Sequence, residues 1–354
     1  MLVTMKLESV DTIYHDGTHN AFTDIVRWKG RYWVCFRNGG SHRSVEGRIC
    51  VISSPDMKDW SSPCVPIDTA EDNRDPKLFV LKEKLFVSSM TIKRSFAIPQ
   101  TCEGEILTDD FFSLISFTED GIRWSDPCRT WEPYKGIWWT EPFGERVYGS
   151  GYQLKPVNDQ GTLPRQGPQH QTYSTEFLVS DDGLEWKTLS IISREREPTD
   201  CALAFLPDKR AVAFLRHEWG ENPHPEIKVA APPYTTWETR YDFPYWTNGP
   251  CLGMVGDTLV AASRAMLDLD STPSELICLA ESGAVRGLQL MTVDIDNGRV
   301  LPELVISCPP HPKDDWPDVS YAGILDLGEG RFAMSFYEGL KKRYCDIKLA
   351  ILRL

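Results

Sequence analysis

One short turn pattern occurs three times in this chain and constrains its fold more than any other feature. Each copy has Ser or Thr, then Asp two positions later and Trp four positions after the Asp, at residues 54–60, 118–124 and 180–186. A hydroxyl and a carboxylate at this spacing can hydrogen-bond the amides of a tight turn, and the Gly present in two copies accepts positive φ. The pattern therefore predicts three hairpin turns, each with a Trp covering the base of its two strands.

The three turns recur at a regular interval. Asp56, Asp120 and Asp182 are separated by 64 and 62 residues, and a turn at a fixed period indicates a repeated sheet. Between the turns, apolar residues form short alternating or continuous runs broken by Gly, Pro, Asn and Asp, with almost no helical periodicity. This rhythm of about 55–65 residues predicts an all-β fold, in which residues 1–354 form a single domain, a six-bladed β-propeller with four strands in each blade.

Composition excludes several classes of function. The net charge of −13 argues against binding nucleic acid, whose phosphates require a basic face. A local arginine pocket on such an acidic protein could still bind a small anion. The sequence contains no run of about 18 apolar residues, so it predicts no membrane span. The first residues lack an apolar run and a small-residue cleavage site, which predicts a cytoplasmic protein unless a leader has been removed. Ten scattered cysteines indicate free buried thiols.

Three arginines occupy equivalent places in the predicted sheets. Arg37, Arg216 and Arg264 each close the second strand of a predicted hairpin. The inner strands of a propeller surround one centre, so residues at their ends face a common point. A single arginine at such a place would favour a capping ion pair. Three in register favour recognition of a carboxylate, because the planar guanidinium binds it bidentately and stays charged.

These features resemble the sialidase (neuraminidase) superfamily. The three turns are similar to its Asp-box, or BNR, repeats, and Tyr321 followed by a hairpin ending in Tyr337-Glu338 is similar to the family's Tyr, Gly turn and Tyr-Glu ending. The resemblance implies that the three arginines hold a substrate carboxylate and that Tyr321 is the nucleophile. It also implies that Glu338 supports Arg37. A neutral tyrosine suits such a substrate, because a carboxylate nucleophile would be repelled by the substrate's own charge.

The same resemblance points to further acidic residues. Asp200 stands where the family has the glutamate that acts as the tyrosine's base, and Glu197 is a nearby substitute. The pair Arg74-Asp75, followed by Pro, is similar to the family's Asp-Pro segment, whose Asp faces the sugar. A buried structural ion pair is the alternative interpretation of Arg74 and Asp75, and a core tyrosine is the alternative for Tyr321.

The general acid has three candidates. The family places an Asp between the first arginine and the first turn, and this segment of the chain contains none. His42, on a Gly-rich loop, is the first candidate for the acid that protonates the leaving oxygen, with Glu46 and Asp75 as the others. An ordinary loop histidine is the alternative interpretation of His42.

Aromatic residues and one further acid are candidates for lining a sugar site. Trp139, Glu141 and Tyr152 lie at strand ends, although core packing explains most aromatic residues of this kind equally well. The seven histidines form no zinc-binding motif, and no calcium loop or phosphate-binding Gly-rich loop occurs. We therefore expect catalysis without a cofactor or metal.

The sequence thus predicts an exo-glycosidase of the sialidase type that hydrolyses a terminal acidic sugar. One alternative is a polysaccharide lyase acting on a uronate, with Tyr321 as base and His42 as acid. Another is a non-catalytic propeller that binds a glycan or a protein, because fold alone does not decide function. The glycosidase hypothesis requires Arg37, Arg216, Arg264 and Tyr321 to meet in one pocket.

Overall fold

The computed structural model describes residues 5–42, 44, 46–95, 107–132, 135–154, 172–217, 223–267, 272–281, 286–307, 317–340 and 343–354. These residues form strands with one short helix, so the predicted all-β class is confirmed. Within these ranges, no helix has the length and apolarity that crossing a membrane requires.

Two of the three turns lie between strands among the first nine. These nine strands are β1 (Lys6–Tyr14), β2 (His19–Trp28), β3 (Arg31–Gly39), β4 (Gly47–Ser54), β5 (Cys64–Ile67), β6 (Asp72–Leu81), β7 (Lys84–Ser95), β8 (Leu107–Thr118) and β9 (Cys128–Thr130). The next twelve strands form three separate antiparallel sheets of four strands each. They are β10 (Lys135–Phe143), β11 (Arg146–Leu154), β12 (Thr172–Ser180), β13 (Lys187–Ser193), β14 (Pro198–Phe205), β15 (Ala211–His217), β16 (Glu226–Ala230), β17 (Glu238–Asp242), β18 (Thr247–Val255), β19 (Thr258–Met266), β20 (Arg286–Asp294) and β21 (Arg299–Ser307).

The chain closes on itself through its last strands. After the helix α1 (Ser274–Cys278), which lies between β19 and β20, the chain ends in β22 (Pro317–Gly328), β23 (Arg331–Leu340) and β24 (Cys345–Arg353). The N-terminal strand β1 pairs antiparallel with β24. One parallel pair, His19 with Cys345, joins β24 to β2, and another, Gly47 with Asp72, joins β4 to β6. Strands β1–β9 and β22–β24 thereby form one twelve-stranded sheet.

The hydrogen bonds predicted for the three turns are present. In the copy at 180–186, Asp182 accepts from the amides of Leu184 and Glu185, both at 2.8 Å, and the Ser180 hydroxyl accepts from the Gly183 amide at 2.9 Å. The copies at 54–60 and 118–124 use their Asp side chains in the same way. Each turn is therefore fixed by its own side chains.

Two of the turns also contact neighbouring hairpins. Lys82, in the β6–β7 hairpin, donates its ammonium group to the Asp181 carbonyl at 2.7 Å, and Lys29, in the β2–β3 hairpin, donates to the Glu119 carbonyl at 2.5 Å. A Cβ placed on Gly183 would lie 2.9 Å from the Phe86 ring. These two turns therefore lie against the hairpins that β2 and β6 form with the strands that follow them.

A ring of first strands forms the centre of the molecule. In the described residues, β2, β6, β10, β14, β18 and β22 each contact the next, and β22 contacts β2. Each of the six has an irregularity in its pairing near its beginning. The residues within these bulges include Phe22, Asp75, Trp138, Asp200, Gly249 and Tyr321. Because a bulge redirects a side chain, this repeated feature aims one residue per strand at a shared region.

We predict that Gly183→Ala lowers the free energy of unfolding by about 1–3 kcal/mol, because φ is +81° and the new methyl group meets Phe86. Gly144→Ala is the matched control, since its φ is +62° and nothing lies within 4 Å. Urea unfolding of both variants measures the difference. Equal losses would show that the turn does not pack on its neighbour in the way described.

Candidate active site

Tyr321 lies between an arginine and a carboxylate. Its hydroxyl donates to Asp200 Oδ2 at 3.0 Å, and Arg216 Nη1 donates to the same Asp200 oxygen at 2.7 Å and to the Tyr321 oxygen at 3.3 Å. The three side chains come from β22, β14 and β15. Asp200 is therefore placed to accept the phenolic proton, and Arg216 to stabilise the phenolate that results.

Burial controls the protonation of this tyrosine. Burial, reinforced by the charge of Asp200, raises the pKa of Tyr321 above its usual value, while Arg216 opposes the shift. Tyr321 is consequently a phenol in the resting site. It becomes a nucleophile or a base only when its proton moves to Asp200 during the reaction. Its backbone φ of 47°, inside the β22 bulge, is unusual for a residue with a side chain.

Arg264 lies over the ring of Tyr321. Its Cζ is 5.6 Å from the ring centroid. The guanidinium donates to the Val319 carbonyl at 2.7 Å, to Asn248 Oδ1 at 3.0 Å and to the Tyr337 hydroxyl at 2.8 Å. Two of the three predicted clamp arginines, Arg216 and Arg264, therefore meet at Tyr321.

Asp318 holds this side of the site together. It is three residues before Tyr321 on β22, and its two oxygens lie within hydrogen-bonding distance of four groups: Arg264 at 3.1 Å, Tyr337 at 3.0 Å, His19 at 3.1 Å and His42 at 2.6 Å. Burial would raise the pKa of Asp318, but His42, His19 and Arg264 together hold it well below its usual range. Asp318 is absent from the predicted site, although its place on the Tyr321 strand could have indicated it.

Arg37 does not belong to the pocket, which corrects the predicted clamp. Its side chain is 0% exposed, and its guanidinium donates to Asp72 at 2.9 Å and to the Ser44 hydroxyl at 2.6 Å. Gly39, at the end of β3, packs against it, since a Cβ on Gly39 would lie 2.8 Å from Arg37 Nη1. A ligand cannot reach this guanidinium in the described conformation.

The support predicted for Arg37 is also wrong. Glu338 lies 3.9 Å from the ammonium group of Lys348, and it is Asp72 that pairs with Arg37. Asp72 binds a second arginine as well, because its other oxygen lies 3.6 Å from Arg74 Nη1. Asp72 thus connects the buried Arg37 to Arg74, which lies nearer the centre.

Arg74 takes the third place at the centre. Its Cζ lies 4.9 Å above the ring of Phe22, and the ring of Phe22 is itself 5.0 Å from that of Tyr321. Its Nε lies 3.3 Å from Asp75 Oδ2. The central region therefore contains Arg74, Arg216 and Arg264 grouped around Phe22 and Tyr321. The predicted meeting of Arg37, Arg216, Arg264 and Tyr321 does not occur in that form, because Arg74 occupies the place expected for Arg37.

Asp75 has the least satisfied carboxyl group of the site. It lies in the β6 bulge with φ of 50°, and its buried Oδ1 accepts no hydrogen bond from any residue that the structure describes. Burial raises the pKa of Asp75 to about 6, with Asp200 and Asp72 adding to the shift and Arg74 opposing it. A carboxyl group of this kind can carry a proton near neutral pH and donate it.

His42 is held in a neutral form. Burial lowers the pKa of His42 to about 3, although Asp318 acts in the opposite direction. Its Nδ1 faces Asp318 Oδ2 at 2.6 Å, so Nδ1 carries the proton and Nε2 is left as an acceptor. A neutral imidazole in this tautomer is suited to accept a proton and unsuited to donate one at neutral pH.

The predicted sugar-lining residues separate into two groups. Trp139 lies 4.1 Å from the ammonium group of Lys77, and its indole donates to Glu141 at 3.4 Å. Burial raises the pKa of Glu141 to about 8. These two residues surround Lys77 rather than Tyr321. Tyr152, on β11, lies near Asp200 and Asp75, whose charges add to burial in raising the pKa of its hydroxyl.

One group of possible metal ligands occurs among the described residues. Atoms of His19, Asp318 and Cys345 lie within 4.8 Å of one another and all three residues are buried. Both oxygens of Asp318 are already engaged by hydrogen-bonding partners. Hydrogen bonding alone therefore accounts for this arrangement.

Comparison with known proteins supports the fold. No protein-family model and no curated protein matches the chain. A Dyadobacter fermentans protein of unknown function is similar with a TM-score of 0.73 and 16% identity over 99% of both chains. Trypanosoma rangeli sialidase in complex with 2,3-difluorosialic acid, described as a covalent intermediate, is similar with a TM-score of 0.61 and 12% identity over 95% of this chain. Phage phi92 endosialidase is similar with a TM-score of 0.65 and 10% identity. The match covers 98% of this chain and 69% of the endosialidase chain.

These similarities establish a sialidase-like, β-propeller-like fold. At such identities they establish nothing finer. This chain spans 54% of the length of the T. rangeli sialidase chain.

We predict that Asp318→Asn lowers the free energy of unfolding by about 3–5 kcal/mol, because the new amide faces groups that donate to the carboxylate. Since the folded state lowers the pKa of Asp318, its contribution is present above the unfolded value of about 3.9 and is lost as pH falls further. Denaturant unfolding at pH 7 and pH 3 measures this. The exposed Asp326→Asn is the control, and a penalty that is the same at both pH values would contradict the assignment.

Proposed function

We propose that this protein is an exo-glycosidase of the sialidase type that hydrolyses a terminal acidic sugar. The hydrogen-bonded group of Tyr321, Asp200 and Arg216 carries the proposal, because it joins a potential nucleophile, a proton acceptor and a cation within 3.3 Å. We also propose that the ring of six first strands is the centre of a six-bladed propeller.

Each residue around Tyr321 has a role in a two-step hydrolysis of the glycosidic bond. Tyr321 Oη attacks the anomeric carbon as Asp200 takes its proton, and Asp75 donates a proton to the leaving oxygen as the glycosidic bond breaks. Water, losing a proton to Asp75, then attacks the same carbon and releases the sugar. The Tyr321 oxygen recovers its proton from Asp200, which restores the starting state.

The three central arginines supply recognition of the substrate carboxylate. Arg74, Arg216 and Arg264 lie around Tyr321 and come from three different strands. Guanidinium groups bind carboxylates bidentately and retain their charge at any physiological pH. The T. rangeli sialidase forms a covalent intermediate with a difluorinated sialic acid, so a sugar acid of that kind is the first substrate class to test.

A second candidate is β-elimination on a uronate, favoured by the His42–Asp318 pair. Neutral His42 would take the proton beside the substrate carboxylate, the bond to the leaving oxygen would break, and Tyr321 would protonate that oxygen. These roles are the reverse of those predicted from sequence, because burial keeps His42 neutral and Tyr321 protonated. His42→Ala would abolish elimination, and an unsaturated product would absorb in the ultraviolet.

We predict that Tyr321→Phe lowers kcat by about 10²–10⁴-fold on aryl glycosides of sialic, keto-deoxy or uronic acids, because the nucleophilic oxygen is removed. The exposed Tyr344→Phe is the control and should retain full activity. Mass spectrometry after incubation with 2,3-difluorosialic acid should show an adduct on the unchanged protein and none on Tyr321→Phe. Unchanged turnover by Tyr321→Phe would remove it as the nucleophile, and binding without turnover in the unchanged protein would favour a binding propeller.

We predict that kcat/KM falls as pH rises above about 6, because Asp75 must be protonated to act as the acid and burial raises its pKa to about that value. Asp75→Asn should lack this alkaline limb and lose most activity on substrates with an alkyl leaving group. A nitrophenyl leaving group needs no protonation, so that substrate should restore much of the activity. An equal loss on both substrates would assign the acid elsewhere.

A further inference from the structure

Around and behind Tyr321, four buried arginines are matched by four buried aspartates. Four arginines each pair with a different aspartate, at 2.9 Å for Arg37 with Asp72, 3.3 Å for Arg74 with Asp75, 2.7 Å for Arg216 with Asp200 and 3.1 Å for Arg264 with Asp318. None of these eight side chains is more than 14% exposed. We call these eight residues the charge cluster.

This balance creates a problem for an anionic ligand. A substrate carboxylate adds a negative charge to a buried cluster that is already neutral, and an uncompensated buried charge is costly. Compensation requires either that an aspartate leave its arginine or that one carboxylate take up a proton. The second route needs no movement of the strands.

Asp75 is the carboxylate best placed to take that proton. Asp318 is engaged by four groups, and Asp200 Oδ2 accepts from both Arg216 and Tyr321. Asp75 differs from both, because its Oδ2 accepts from Arg74 at 3.3 Å while its Oδ1 is buried with no partner among the described residues. A proton on Oδ1 would therefore break no existing hydrogen bond.

We propose that binding of a sugar carboxylate is coupled to the uptake of one proton by Asp75, so that the ligand's own charge loads the acid that the reaction uses. This inference rests on the proposed function, because it assumes that the ligand is an anion bound among Arg74, Arg216 and Arg264.

The surroundings of Asp75 agree with this coupling. Arg74, Asp72 and Lys77 face it from its own strand, and Asp200, Tyr152 and Tyr321 from β14, β11 and β22. Burial and the two neighbouring aspartates already raise the pKa of Asp75 to about 6. A ligand carboxylate beside them raises it further. At pH 7.5, Asp75 is therefore mostly ionised in the free protein and mostly protonated in the complex.

Isothermal titration calorimetry measures the proton directly. The probe is DANA, which is an inhibitor of T. rangeli sialidase, titrated in phosphate and in Tris at pH 7.5 and in acetate and in piperazine at pH 5.0. The dependence of the binding enthalpy on the buffer's ionisation enthalpy gives the number of protons taken up. We expect about one proton at pH 7.5 and far fewer at pH 5.0.

Two variants locate the proton. Asp75→Asn should bind DANA with no uptake at either pH. Glu141→Gln is the matched control, because it also removes a buried carboxyl group of raised pKa, but one beside Lys77. It should show the same uptake as the unchanged protein. If Asp75→Asn does not fold, the measurement on the unchanged protein and Glu141→Gln still decides the outcome.

The outcomes separate this inference from the proposed function. DANA binding with no proton uptake at pH 7.5 overturns the coupling, and hydrolysis of the glycoside panel would then still support the glycosidase. Uptake that persists in Asp75→Asn also overturns it. If DANA, sialate and glucuronate all fail to bind at both pH values, the coupling is overturned, and a negative hydrolysis panel would overturn the glycosidase as well.

Discussion

The centre of this protein depends on pairing buried charges, and three of the four arginine–aspartate pairs of the charge cluster join different strands. Asp318 shows how far this requirement reaches, because its partners lie on β2, on the loop after β3, on β19 and on β23. His19 and Asp318 are 299 residues apart in sequence. A single carboxylate therefore ties the beginning of the chain to its end at the point where the ring of first strands closes.

The repeated bulges allow that matching to happen around a shared pocket. A regular first strand would send alternate side chains to its two faces. The bulge inserts an extra residue, which breaks this alternation. Four of the bulge residues have positive φ: Phe22, Asp75, Gly249 and Tyr321. Backbone strain of this kind persists only where surrounding contacts maintain it. The buried ion pairs and the packing of Phe22 against Tyr321 provide such contacts.

The features that the sequence predicted correctly are those determined by nearby residues. The three turns are stabilised by their own Ser, Thr and Asp side chains, so their pattern was sufficient to predict them. Arg216 and Arg264 lie beside Tyr321, as their places at strand ends indicated, while their role as a carboxylate clamp stays a prediction. Arg37 occupies an equivalent place, yet Gly39 at the end of β3 packs against its guanidinium and Asp72 pairs with it. That difference arises from long-range packing, which the end of a strand does not reveal.

The sequence also did not predict the positive φ of Asp75 and Tyr321, because both residue types usually avoid that conformation. The proline after Asp75 was the available signal, since a residue without an amide hydrogen suits a bulge. The same signal occurs at Gly249, which precedes Pro250 on β18. Asp72 and Asp318 each stand three residues before a bulge residue, so a search for acids upstream of such positions would have found both.

Two carboxyl groups near one tyrosine acquire different chemistry from their surroundings. Asp200 accepts two hydrogen bonds on one oxygen, from a cation and from the phenol, which suits a group that receives the phenolic proton. Asp75 has a single weak contact with Arg74 and an oxygen without a partner among the described residues, which suits a group that carries a proton to the substrate. Separation of acid and base by environment is how one pocket performs both tasks at one pH. Here the difference arises from the β6 bulge, which turns Asp75 away from donors that the other three aspartates of the charge cluster reach.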